Sequence, residues 1–128
     1  MIFDTSVLIS LKREIRRSVE GPASIFVLSL PETRMCITPT IAGELCSGMS
    51  MSDRAVWEEF CAAYEMLPMT VETSWIYGGI YRHLARQGRL IGTNDLWIAA
   101  SALTHHLPIA TANVDEFSRV PDLEVLGV

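Results

Sequence analysis

Four short segments carry oxygen-rich side chains where chemistry could be done. Asp4 follows Ile2-Phe3, and Glu44 lies within Thr38-Pro39-Thr40-Ile41-Ala42-Gly43-Glu44-Leu45. Asp95 lies within Asn94-Asp95-Leu96-Trp97, and Asn113, Asp115 and Glu116 follow Ile109-Ala110-Thr111. Each alone also suits a structural role. Asp4 and Asp95 fit as acids at the positive end of a helix, Glu44 as a solvated helix glutamate, and residues 113–116 as an ordinary polar loop. Brought together, the carboxylates would repel and raise one another's pKa values. A hard divalent cation, Mg²⁺ or Mn²⁺, is what such a cluster of oxygens calls for. An ion held that way activates water and stabilises a departing oxygen, so no histidine is needed for the acid–base work.

The elements that must position these groups follow from the spacing. Ile2-Phe3 is an apolar start that stops at Asp4, and Thr5 or Ser6 is expected to cap a helix running through Ile9, Leu11 and Ile15 to about Ser18. Gly21-Pro22 interrupts it, and a second helix covers about Ala23–Leu30. Met35-Cys36-Ile37 reads as a strand, after which Thr38 caps a helix with Pro39 at its first position. A helix over Arg54–Tyr64, a strand over Glu65–Met69 and a helix from Glu72 to about Gln87, closed by Gly88, come next. A helix over Asp95–His106 and strands at Pro108–Thr111 and Leu123–Val128 complete the chain. Short apolar strands alternating with helices predict a single α/β domain over residues 1–128. Its architecture is expected to be three-layer α/β/α around a short, mainly parallel central sheet. Sites in open sheets of this kind lie beyond the C-terminal strand ends, where all four acidic segments fall.

Composition narrows the class. The 128 residues carry 10 basic and 15 acidic side chains, a formal net charge of −5. Apolar residues make up 49% and mean hydropathy is +0.27, too apolar for a disordered chain. No apolar run approaches the ~20 residues that span a bilayer, and Met1-Ile2-Phe3-Asp4 lacks the basic flank of a secretion signal. The expected location is the cytoplasm, with no membrane partner. The acidic balance excludes a protein that coats nucleic acid non-specifically, but not an enzyme that meets it through a local basic patch. Cys36, Cys46 and Cys61 are odd in number and lack C-x-x-C spacing, which predicts buried, reduced thiols.

The four segments together resemble a known family. Ile2-Phe3-Asp4-Thr5-Ser6-Val7-Leu8-Ile9 is similar to the start of a PIN-domain ribonuclease. The Thr38–Leu45 segment is similar to that family's second acidic segment, Asn94-Asp95-Leu96-Trp97-Ile98-Ala99-Ala100 to its third, and residues 109–117 to its fourth. The order and the chain length suit the VapC toxin branch. The resemblance implies a PIN-like fold and a metal-dependent endoribonuclease, the toxin of a type II toxin–antitoxin pair, hydrolysing RNA phosphodiesters with Mg²⁺ or Mn²⁺. It implies Asp4, Glu44 and Asp95 as metal ligands and puts Asn113, an amide, at the fourth acidic position, where Asp115 or Glu116 is the available substitute. Thr5, Ser6, Asn94 and Thr111 are expected to orient the carboxylates or bound water. The implied partners are RNA, a cognate antitoxin and a second copy of the chain.

An acidic site must still hold a polyanion. Lys12, Arg13, Arg16 and Arg17 form a basic run, and Arg82, Arg86 and Arg89 share one helical face. Arg13, Arg17, Arg82 and Arg86 are the candidate RNA contacts, although both sets also suit a solvated surface. His105 and His106 are expected as C-terminal helix caps and His83 on a surface, while Trp57, Trp75 and Trp97 are expected in the core or at an interface rather than as base-stacking platforms. An aspartate-based phosphatase or phosphotransfer domain would need a second acid at position 6 or a late lysine. Ser6 stands there, and Lys12 is the one lysine. No G-x-S-x-G or P-loop occurs. Asn113 keeps open a PIN-like protein that binds RNA or a partner without cutting.

Overall fold

The computed structural model describes all 128 residues. Five parallel strands form one sheet: β1 (Ile2–Phe3), β2 (Cys36–Ile37), β3 (Glu65–Met66), β4 (Ile109–Thr111) and β5 (Val125–Gly127), in the order β3-β2-β1-β4-β5. Ile2 pairs with Cys36 on one side and Ile109 on the other, and Phe3 pairs with Ala110. Successive strand residues point to opposite faces, and every residue of β1, β2 and β4 is buried. Both faces of the central sheet are therefore covered, as a parallel sheet requires. The expected strand over Glu65–Met69 is only two residues long, since Leu67 precedes Pro68, which has no N–H to continue a ladder.

Seven helices do the covering: α1 (Thr5–Arg17), α2 (Pro22–Ser29), α3 (Pro39–Ser47), α4 (Arg54–Cys61), α5 (Val71–Arg86), α6 (Thr93–Thr104) and α7 (Val114–Phe117). Sequence spacing anticipated six of them. The four-residue α7 and a 3-10 turn at Met49–Met51 are too short to show a helical period. Thr38 and Pro39 start α3 as expected, with Thr38 Oγ1 accepting the Ile41 N–H at 3.3 Å. Gly88 follows α5 at φ +64°, the left-handed conformation that suits glycine.

The join between α1 and α2 has an unusual cap. Glu14, only 9% exposed, accepts the Ala23 N–H at 3.2 Å and the Ser24 N–H and hydroxyl at 2.7 Å each. A side chain from α1 thus satisfies the orphan N–H groups at the start of α2. Those hydrogen bonds, led by the Ser24 hydroxyl, hold the Glu14 carboxyl below its ordinary range. Gly21 makes the approach possible: a Cβ there would stand 2.4 Å from Glu14 Oε1.

One composition-based expectation, that all three thiols are buried, is corrected. Cys36 is buried, but Cys46 is exposed and Cys61 only half-buried. Trp57 packs and donates from Nε1 to the Ala42 carbonyl at 2.9 Å, and Trp97 stacks on Tyr77 at 4.1 Å between centroids. Trp75, however, is 71% exposed. Helix α5 buries Thr73, Ile80 and Leu84, a spacing that turns position 75 to the opposite face. His83 is exposed as expected. His105 follows α6, but its ring Nε2 bonds the Pro68 carbonyl at 3.0 Å rather than capping its own helix. No helix is long and apolar enough to cross a membrane.

Candidate active site

Strand β1 hands over to α1 at Asp4. The Asp4 N–H donates to the Ala110 carbonyl at 2.9 Å, and the side chain is buried. Oδ1 accepts the Thr5 N–H at 2.8 Å, so Asp4 itself caps α1 in place of Thr5 or Ser6. The two hydroxyls are used elsewhere. Oδ2 of Asp4 accepts Ser6 Oγ at 2.7 Å and Thr111 Oγ1 at 2.8 Å. Ser6 Oγ in turn accepts the Ala112 N–H at 3.1 Å, and Thr111 Oγ1 accepts the Asn113 N–H at 2.9 Å. Each hydroxyl accepts a hydrogen bond from a backbone N–H of the loop after β4 and donates one to Asp4. The carboxylate is thereby held in one orientation by α1 and β4 together, without an ion pair.

Glu44, half-buried on the second turn of α3, is held from two other segments. The Thr5 hydroxyl donates to its Oε2, and Asn94 Nδ2 donates to its Oε1 at 3.1 Å. Asp95 occupies the first turn of α6. Burial, a hydrogen bond shared with the Glu116 carboxyl, and the negative charges of Asp4, Glu116 and Glu44 push the Asp95 carboxyl from its ordinary 3.8 up to about 7. Asp95 thus meets three other carboxylates, each from a separate element, at the C-terminal edge of the sheet. The crowding anticipated from sequence is therefore present.

The remaining candidates separate. Thr5, Ser6, Asn94 and Thr111 all donate side-chain hydrogen bonds to Asp4 or Glu44. Asn113 enters the network through its backbone N–H, while its side chain makes no capping bond to α7. Of the two possible substitutes, Glu116 is the one that reaches Asp95. Asp115 is exposed and is not among the groups that act on Asp95. The fold explains this, because α7 turns Glu116 back toward α6. Glu116 three residues after Asn113 is the spacing of a helical first turn, and that was the available signal. Arg13 lines a cavity shared with Glu44, whereas Arg17 does not. Arg82 and Arg86 are exposed on α5, and no contact joins them to the carboxylates.

Only oxygen donors meet here, the set preferred by hard divalent cations. No three His, Cys, Asp or Glu side chains already form a chelating group. The reason is local: Asp4 and Glu44 direct their oxygens to Thr5, Ser6, Thr111 and Asn94. The donor chemistry fits a divalent ion, and the carboxylates would have to turn part of that hydrogen bonding toward it.

Comparisons with known proteins agree with this architecture. The PIN domain family model matches residues 1–123. A ribonuclease VapC of Rickettsia bellii is 32% identical across all of this chain and 96% of its own length. Ribonuclease VapC1 of Haemophilus influenzae R2866 is 32% identical over 96% of this chain and 93% of its own. Among solved structures, VapBC-1 from nontypeable Haemophilus influenzae superposes with a TM-score of 0.78 at 30% identity, covering 99% of this chain and 98% of that one. DNA-bound VapBC from Salmonella typhimurium gives a TM-score of 0.77 at 27% identity, covering 98% and 96%. With a family model spanning nearly its whole length and full-length relatives above 30% identity, the chain belongs to the PIN domain family, in its VapC branch.

Proposed function

We propose that this protein is a divalent-metal-dependent endoribonuclease, the toxin of a type II toxin–antitoxin pair, and that Mg²⁺ or Mn²⁺ binds among Asp4, Glu44 and Asp95. The observation that carries this reading is geometric: Thr5 bonds both Asp4 and Glu44, and Asn94, beside Asp95, bonds Glu44, so three acidic side chains from three separate segments are gathered at one edge of the sheet. Natural relatives named ribonuclease VapC, and VapBC complexes of the same fold, support RNA as substrate and an antitoxin as partner. A homodimer working in the cytoplasm is part of the same reading.

The ion would lower the pKa of a bound water and offset charge on the leaving oxygen of an in-line displacement. The chain's own residues set the geometry. Asp4 is fixed by three donors and moves little. Glu44 is held by hydroxyl and amide donors that can exchange for a cation. Asp95 is the carboxyl most crowded by burial and by other carboxylates, Glu116 among them, and so the one most in need of a positive partner. Asn113 contributes a neutral amide at the rim, and Glu116 supplies the fourth acidic group in its place; Asp115 faces outward.

The test is to incubate partner-free protein with a panel of structured RNAs in Mg²⁺, Mn²⁺ or EDTA, with Asp95→Asn alongside. Discrete cleavage that needs the metal and disappears in the variant is the expected result. A folded protein that binds Mn²⁺ and cuts nothing would favour the second reading, a non-catalytic binding protein, to which the amide at Asn113 points. Failure to bind any divalent ion would overturn the metal site itself.

A further inference from the structure

A cavity of about 210 Å³ lies beside the carboxylates, between α1, α3 and the 3-10 turn at Met49–Met51. Leu8, Leu45 and Met51 form its apolar floor, and Glu44 closes the end nearest the site. Its rim carries Lys12, Arg13 and Arg16. None of these cations is paired with a carboxylate, since the two ion pairs of the molecule, Arg34–Glu65 and Arg54–Glu58, lie elsewhere. Lys12 instead points at Ser50, 3.3 Å from its carbonyl and 3.4 Å from its hydroxyl, and holds the turn that makes the far wall.

We propose that this cavity is a base-recognition pocket, which takes one unstacked nucleobase of a single-stranded segment while the rim cations hold the flanking phosphates. An apolar floor suits the flat face of a base, and three unpaired cations beside it suit a polyanion. The volume is below the roughly 300–1,000 Å³ of pockets for drug-sized ligands, so it has room for one heterocycle and not for a run of nucleotides. Because Glu44 belongs to both the cavity and the acidic site, a base seated here presents an adjacent phosphodiester to the carboxylates. The pocket would therefore choose where the strand is cut. Its meaning rests on the ribonuclease reading, but its binding is measurable without cleavage.

Gly48 supplies the plug. It lines the cavity in an ordinary extended conformation, φ −80° and ψ 144°, and an added Cβ would meet only the Leu45 carbonyl at 3.5 Å. Gly48→Leu therefore fills the pocket without backbone strain. Isotope-labelled protein in EDTA would be titrated with the four nucleoside 5′-monophosphates and with ribose 5-phosphate, followed by amide chemical shifts. The expected result is at least tenfold tighter binding of one nucleotide than of ribose 5-phosphate, with shifts at Ile9, Gly48, Ser50 and Met51. Gly48→Leu should weaken that nucleotide at least tenfold, and Arg13→Ala should weaken nucleotide and sugar phosphate alike. If Gly48→Leu does not fold, Ser50→Trp blocks the same cavity from an exposed position. Equal binding of ribose 5-phosphate, no saturable nucleotide binding, capture of an acidic peptide instead, or indifference to a folded plug variant would each overturn the pocket. A protein that cuts RNA but fails these tests keeps the ribonuclease reading and loses the pocket. One that passes them but never cuts does the reverse.

Discussion

Replacing Asp95 by Asn should stabilise the metal-free protein, and by an amount that depends on pH. The Asp95 carboxyl is raised from 3.8 to about 7 by burial, Glu116, Asp4 and Glu44, so the folded state binds its proton more tightly than the unfolded chain does. Between those two values the folded state holds more protons, and stability falls as pH rises. At about 1.36 kcal/mol per pKa unit the whole rise corresponds to roughly 4 kcal/mol. The group is only half-buried, and solvent screening brings this down to about 2 kcal/mol. Asparagine resembles the protonated acid in shape and charge and carries no such penalty. The variant and the wild type should therefore unfold alike near pH 4, and the variant should be more stable by about 2 kcal/mol at pH 8. For a chain of this size that difference is on the order of 6–8 °C in Tm. Thermal scans in EDTA across this pH range would read it, with the difference between the two proteins cancelling every other titrating group. Saturating Mg²⁺ should then stabilise the wild type more than the variant, because only an ion that prefers the folded state can do so. A Tm difference that stays constant from pH 4 to pH 8 would refute the reasoning, since the like-charge pressure on Asp95 would then be absent.

Glu116→Gln should lower the Asp95 titration toward its ordinary value, read by carboxyl carbon shifts, and an unmoved titration would show that Glu116 is not its partner. Thr111→Val removes a hydroxyl that donates to buried Asp4 and accepts from the Asn113 N–H. It should cost about 2–3 kcal/mol in urea denaturation, because a buried carboxylate loses a charge-assisted donor. Gly21→Ala should lower Tm by displacing the Glu14 carboxylate from the start of α2. Since Glu14 titrates below its ordinary value, the stability it lends is present at neutral pH, and the difference between the two proteins should shrink as pH falls through its folded pKa. Removing two rim cations, Arg13→Ala with Arg16→Ala, should reduce the slope of log K against log salt for single-stranded RNA by about 1.4, at roughly 0.7 per phosphate contact. The same change at Arg82 and Arg86 should leave the slope nearly as it was.

What the sequence disclosed depended on how each residue is held. Asp4, Glu44 and Asp95 were legible because each follows a strand end or a helix start marked by local signals: an apolar run that stops, a Thr-Pro cap, a Gly-Thr-Asn entry. Thr5, Ser6 and Thr111 were legible because they adjoin those acids or end the neighbouring strand. Glu116 was only half-legible. Its role depends on α7, a single helical turn whose four residues carry no apolar period, and on α7 facing α6 across the sheet edge. The cavity beside Glu44 was hidden for a similar reason, since its far wall is a three-residue 3-10 turn held by a lysine 38 positions earlier in the chain. Trp75 lies at the surface rather than in the core, the first of the two places expected of it. The buried Thr73, Ile80 and Leu84 define the inner face of α5, and that spacing outweighs the general tendency of tryptophan to pack.

The distribution of charge resolves how an acidic protein could hold RNA. Asp4, Glu44, Asp95 and Glu116 account for much of the negative field at the site, and their repulsion is what a divalent ion would relieve. Three of the unpaired cations, Lys12, Arg13 and Arg16, lie along α1 beside Glu44, and α1 begins at Asp4 itself. One helix thus delivers Asp4 at its N-terminus and, two to three turns later, Lys12, Arg13 and Arg16 on the rim of the cavity they share with Glu44. Net charge is silent about such an arrangement, because attraction to a polyanion within a Debye length depends on local sign and not on the sum over the chain. The −5 overall weakens attraction to nucleic acid away from such a patch, so on the ribonuclease reading proposed above the α1 flank is where a strand would be held.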